Sequence, residues 1–167
     1  MAGFSAKDKK GNSSVHVEMI SGIGAIPKNT PVTLTLNGDT LEIKQRFFGK
    51  EPFSLACAQI TDAGMISSEE IVERNKSVIG RAAVGGLLLG PLGAIVGGMS
   101  GTGKKQKTER HVYFVINYTS GKSGESQVLS FQDAAGNLPG VMKAFTAELR
   151  AKASLQDQEQ TEASHTL

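Results

Sequence analysis

The sequence predicts a mainly β fold with some helix (β+α): a curved antiparallel sheet or half-barrel, plugged by one amphipathic C-terminal helix and interrupted by an inserted glycine-rich apolar helical hairpin. Three observations predict it. Short runs alternate apolar and polar residues with period two on both sides of the insert. Helical spacing of apolar residues appears only after Pro139. Between Arg81 and Lys104 there is no charged residue, and nine glycines fall from Gly80 to Gly103.

Residues 1–14 are polar and rich in Gly, Ser and Lys, as expected of a disordered N-terminal segment. Residues 15–20 read as a first strand closed by a Gly-containing turn. Residues 32–36 alternate strictly, and Asn37-Gly38-Asp39-Thr40 turns the chain into residues 41–44. Asn-Gly favours the positive φ of tight hairpin turns, so this is the clearest local signal. Phe47, Phe48 and Gly49 suggest the next turn, residues 53–60 alternate again, and residues 65–73 read as a further strand. After the insert, residues 111–118 are β-branched and aromatic, and a Ser/Gly/Lys turn leads into residues 127–131. Pro139 suits a helix first turn, with Val141, Met142, Phe145 and Leu149 on one face. Residues 154–167 lack periodicity and read as a disordered polar tail. One domain, residues 15–153, thus carries an insert at 80–104.

Strands followed by one helix form a layout that covers the open side of a small sheet. At Gly90-Pro91-Leu92-Gly93-Ala94-Ile95-Val96-Gly97-Gly98, and more loosely across residues 15–150, the chain resembles a group of bacterial and phage proteins with a pleckstrin-homology-like (PH/GRAM-like) domain and a glycine-zipper insert. The resemblance implies a PH-like fold and membrane association, and it implies no activity.

Within the insert, Gly86/Gly90, Gly93/Gly97 and Gly97/Gly101 have G-x-x-x-G spacing, which lays bare backbone along one helical face and lets helices approach closely. As one helix, the eighteen residues 82–99 would reach about 27 Å, barely the thickness of a hydrocarbon core of about 30 Å. Pro91 at the midpoint breaks such a helix, and a single span would place the flanking strands on opposite sides. A hairpin turning near Gly90-Pro91 keeps them together, each arm reaching roughly one leaflet. Val84, Leu87, Leu88, Leu89, Leu92, Ile95 and Val96 give only about −2 to −4 kcal/mol of insertion, partly offset by six glycines and Pro91. An electrostatic assist lies in the flanks. Arg74, Lys76, Arg81, Lys104, Lys105, Lys107 and Arg110 stand against Glu73 and Glu109, a local charge of +5 in a chain of net +2. Such flanks suit an anionic leaflet, at about 1 kcal/mol per basic residue. The other reading is a hairpin folded back on the sheet, on a partner protein or on a copy of itself.

The expected function is therefore a membrane-associated, PH-like adaptor at the cytoplasmic leaflet, anchored or self-associated through the hairpin. The alternative is a soluble protein-binding module. The small net charge gives no global field for nucleic acid. A single Cys57 excludes a disulfide framework, and the polar N-terminus does not read as a signal peptide, so a cytosolic protein is expected.

No catalytic site, cofactor, metal or small-molecule substrate is expected. His16, His111 and His165 lack metal-ligand spacing. Cys57 sits in an alternating run as a small core residue. Asp62, Glu69 and Glu70 could group as carboxylates, or simply mark a solvated strand end. Residues 98–105 imitate a nucleotide-phosphate loop, but Lys105 replaces the Ser or Thr that would hold Mg²⁺. Lys44, Arg46 and Lys50 could form a basic pocket or a plain solvated strand face.

Overall fold

The computed structural model describes residue 7 and residues 10–47, 51–76, 87–99, 111–133 and 139–155. Its elements run β1 (Ser13–Ser21), β2 (Thr30–Asn37), β3 (Thr40–Gln45), β4 (Phe53–Ala56), a 3-10 turn (Cys57–Gln59), β5 (Ile60–Ser67), α1 (Ser68–Lys76), α2 (Pro91–Met99), β6 (Val112–Thr119), β7 (Ser126–Gln132) and α3 (Pro139–Lys152). Among the described residues seven strands make one antiparallel sheet in the order β4-β3-β2-β1-β7-β6-β5. β4 and β5, neighbours in sequence, are its two borders. The sheet is thus open, and β1 joins its two halves through an irregular pairing with β7 between Met19 and Ser21.

Alternation decides which face each residue serves, because successive strand side chains point to opposite sides. Val15, Val17 and Met19 of β1, Val32, Leu34 and Leu36 of β2, and Phe114 and Ile116 of β6 enter the main core. α3 lies across that face against β1, β5 and the 3-10 turn, and supplies Met142, Phe145 and Leu149. Phe145 meets Phe114 edge-on with centroids 6.1 Å apart, and Phe114 stacks on Phe131 at 6.2 Å. The helix ends in a left-handed cap at Ser154 (φ 58°), with Leu155 N–H bonded to Arg150 O at 2.9 Å and the Leu155 side chain packed on the core.

Arg150 ties α3 to the sheet border. Its Nη1 donates to Asp62 Oδ1 at 2.7 Å and to Ala63 O at 2.6 Å, while Ala63 N–H donates to Asp62 Oδ1 at 2.8 Å. Both backbone polar groups of Ala63 on β5 are therefore taken by side chains.

The β2–β3 hairpin has the predicted position. Gly38 and Asp39 are its two loop residues, and Gly38 has φ 58°, the positive first position of a II′ turn. Two strand assignments are corrected. Residues 53–60 are not one strand: β4 stops at Ala56, and the 3-10 turn carries the chain round the corner into β5. Residues 65–73 are not a strand either, because β5 ends at Ser67 and a helix begins. Ser67-Ser68-Glu69-Glu70 is a reciprocal capping box: Glu70 N–H donates to Ser67 Oγ at 3.2 Å, and Ser67 N–H to Glu70 Oε2 at 2.8 Å. The turn expected at Phe47, Phe48 and Gly49 reaches beyond the described residues after Phe47.

Cys57 is fully buried in the main core, as its place in an alternating run implies. Burial pushes its thiol above the ordinary pKa, with Lys152 pulling it down and Asp39 adding a smaller push. Native protein at neutral pH is expected to react with a thiol-specific disulfide reagent only at the rate of structural opening. The check is that urea accelerates labelling in step with unfolding; rapid native labelling would contradict the burial.

Candidate functional site: the seat of the glycine-rich insert

The opposite face of the sheet carries a second, smaller cluster. Ile20 of β1, Ile66 of β5, and Tyr113 and Val115 of β6 point outward there, away from the main core. Ile71 of α1 and Leu92 and Val96 of α2 close over them, with Val72, Leu87, Leu89, Ile95 and Val128 partly buried around the edge. Leu92 and Val96 are one helical turn apart, so a single stripe of α2 meets the sheet and α1. The described part of the insert is thus packed on the protein's own sheet. None of the seven residues of this cluster belongs to the main core.

The approach to α2 is built from backbone and small residues. Leu87–Leu89 is not helical, contrary to the expectation of a helical first arm. Its partner is instead Asn117, a fully buried amide on β6. Its Oδ1 accepts from Leu88 N–H at 2.6 Å, and its Nδ2 donates to Leu88 O at 2.8 Å. One carboxamide thereby satisfies both polar groups of a peptide residue, as a neighbouring strand would, and holds the segment open. Leu87 reaches over Gly64, where an added Cβ would stand 3.6 Å from Leu87 Cδ2.

The chain then turns at Gly90. Its φ is 53°, and an added Cβ would stand 3.1 Å from Val128 Cβ on β7. Leu92 N–H bonds to Leu89 O at 3.1 Å, and Pro91 opens α2 at the position where a missing N–H leaves nothing unpaired. A turn is present at Gly90-Pro91, but the helical hairpin expected around it is not established: most of its first arm lies outside the described residues, and Leu87–Leu89 is not helical. Gly90→Val puts a β-branched residue at positive φ against Val128, a strain of about 1–3 kcal/mol on the seated form. The expected outcome is faster amide exchange at Leu88 and Leu92, with the β2–β3 ladder unchanged.

Of the residues proposed for association, Leu92 and Val96 face inward, Leu87, Leu89, Gly93 and Ile95 are partly covered, and Leu88 (50% exposed), Gly90 and Pro91 are at the surface, beside the exposed Ala94. Of the basic flank, Arg74 on α1 is half-buried. Lys76 ends α1, and Gly97 lies within α2. Gly86, Gly101, Arg81, Lys104, Lys105, Lys107 and Arg110 lie outside the described residues, as does most of the phosphate-loop look-alike.

The carboxylates do not assemble: Asp62 pairs with Arg150, Glu70 caps α1, and Glu69 is exposed. Among the described residues no group of three His, Cys, Asp or Glu is placed to hold a metal. Lys44 on β3 and Arg46 just past its end are exposed, Arg46 lying 5.6 Å from the Phe47 ring centroid, and Lys50 is outside the described residues. Asn117 itself was not among the residues singled out from sequence. Its signal is there, as a lone amide within an apolar strand.

Residues 21–127 match the model of a family described as a glycine zipper containing PH domain. The chain belongs to this family. The match begins at the last residue of β1, takes in the whole insert and ends at the start of β7, so α3 lies beyond it. A comparison with curated proteins finds no match. The open seven-stranded sheet with its C-terminal helix agrees with a glycine-zipper PH domain, and PH-like domains are in general binding modules rather than enzymes. No helix among the described residues of this PH domain is long and apolar enough to cross a membrane.

Proposed function

We propose that this glycine-zipper PH domain is a non-enzymatic binding adaptor that meets a partner protein, or a second copy of itself, through the outer side of its seated insert. The observation that carries this reading is the burial of Leu92 and Val96 against the sheet, with Leu88 clamped by Asn117. Magnitudes favour the seated form over the membrane-inserted one. Covering those two side chains is worth about 3–6 kcal/mol. Lipid insertion of the whole insert is worth roughly 2–4 kcal/mol before its glycines are counted. Release would also uncover Ile71, Tyr113 and Val115. In the seated form Leu88, Gly90, Pro91 and Ala94 offer a small apolar surface with little side-chain bulk, suited to close approach by another backbone.

Light scattering across a concentration series tests the reading for a second copy. A mass that rises with concentration, and stays monomeric in Leu88→Glu, supports it; a constant monomer mass in the wild type rejects self-association.

The charge of +5 over residues 73–110 favours a second reading, in which an anionic cytoplasmic leaflet recruits the insert. At about 1 kcal/mol per basic residue, several of the seven acting together would offset the cost of release. Flotation with phosphatidylglycerol-containing vesicles, against pure phosphatidylcholine vesicles, separates the two readings. Binding only to the anionic set supports recruitment, and equal absence from both disposes of it.

A further inference from the structure

We propose that Asn117 is a latch, which sets the balance between an insert seated on the sheet and one released from it, and that an anionic bilayer selects the released form. The second part rests on the membrane reading above; the first does not.

Three features of the structure lead here. The hold is concentrated: both polar groups of Leu88 are taken by one side chain, at 2.6 and 2.8 Å. The seat is separable, because the cluster containing Leu92 and Val96 shares no residue with the main core under α3. Release would leave the fold's principal packing whole. Finally, Leu92 and Val96 are covered by the sheet and α1, so they reach lipid only once α2 has lifted. Opening would not strand a buried amide, since lifting the segment admits water to Asn117. Closing requires the carboxamide in particular, because it needs an acceptor for Leu88 N–H and a donor for Leu88 O on the same group.

That requirement gives the test its second variant. Asn117→Ala removes both bonds. Asn117→Asp keeps the acceptor but sets a carboxylate oxygen against Leu88 O; protonating that carboxyl restores a donor, and burial raises its pKa. Hydrogen exchange of the full chain, read over residues 87–96, reports release without any lipid present. Losing the clamp is expected to raise exchange there about ten-fold, the change in equilibrium that one or two hydrogen bonds carry. The β2–β3 ladder should keep its wild-type protection. Asn117→Asp should resemble Asn117→Ala at a pH of about 8 and return towards wild type near a pH of about 5.

In flotation, both variants should bind phosphatidylglycerol-containing vesicles several-fold better than wild type at the higher pH. Unchanged exchange at residues 87–96 in both variants overturns the latch. Raised exchange with no gain in anionic-vesicle binding over a wild type that does bind overturns selection by the bilayer. Raised exchange with no vesicle binding by any form rejects the membrane reading and leaves the latch standing.

Discussion

Phe145→Ala is expected to lower the unfolding free energy by about 3–5 kcal/mol, the usual range for deleting a buried aromatic ring. Phe145 is 1% exposed and is the residue through which α3 meets the aromatic stack, edge-on to Phe114, which in turn lies on Phe131. Those three rings join α3 to β6 and β7. Removing the first of them leaves a cavity where the helix crosses the sheet. Urea unfolding followed by circular dichroism should show the midpoint falling with the slope unchanged. Phe145→Leu should lose clearly less, because it keeps most of the volume. A loss below about 1 kcal/mol for the alanine variant would mean that α3 does not plug this face.

Arg150→Ala is expected to cost about 2–4 kcal/mol, through charge rather than volume. Asp62 and Arg150 are 14% and 11% exposed, so water replaces little of what is lost, and Ala63 O also loses its donor. A double-mutant cycle separates the pair from its surroundings. If the interaction is the main term, Asp62→Asn combined with Arg150→Ala should lose much less than the two single variants added together. Additive losses would show that Arg150 acts mainly through its bond to Ala63.

Much of the fold was legible in the sequence because it rests on local period and turn chemistry. Alternation at residues 32–36 and 41–44 placed β2 and β3, and Gly38 marked the turn between them. The helical spacing of Met142, Phe145 and Leu149 placed α3 and its buried face. The errors lie where a local pattern supports two structures. Leu55, Cys57 and Ile60 are all buried, so a corner through a 3-10 turn looked like one longer strand. At Ser67-Ser68-Glu69-Glu70 the capping signature is plain, but Met65 and Ile66 before it and Ile71 and Val72 after it suit either period. The insert was recognisable by composition, and its turn by Gly90-Pro91. What sequence could not supply was the partner of Leu88. Three leucines favour helix, and the group that holds Leu88 in non-helical backbone is a side chain 29 positions away, at Asn117.

Joining Asp62, Ala63 and Arg150 at the border strand has a consequence for how this protein can assemble. An open sheet has two margins, and each is a template on which a foreign strand can polymerise. At the β5 margin the donor and acceptor of Ala63 are already engaged by a carboxylate and a guanidinium. An incoming strand would have to displace that ion pair to form its ladder bonds at Ala63. Strand addition is thus hindered at the middle of β5, while the opposite margin, β4, is only four residues long. An ion pair that fastens one helix also occupies the middle of one open margin of the sheet.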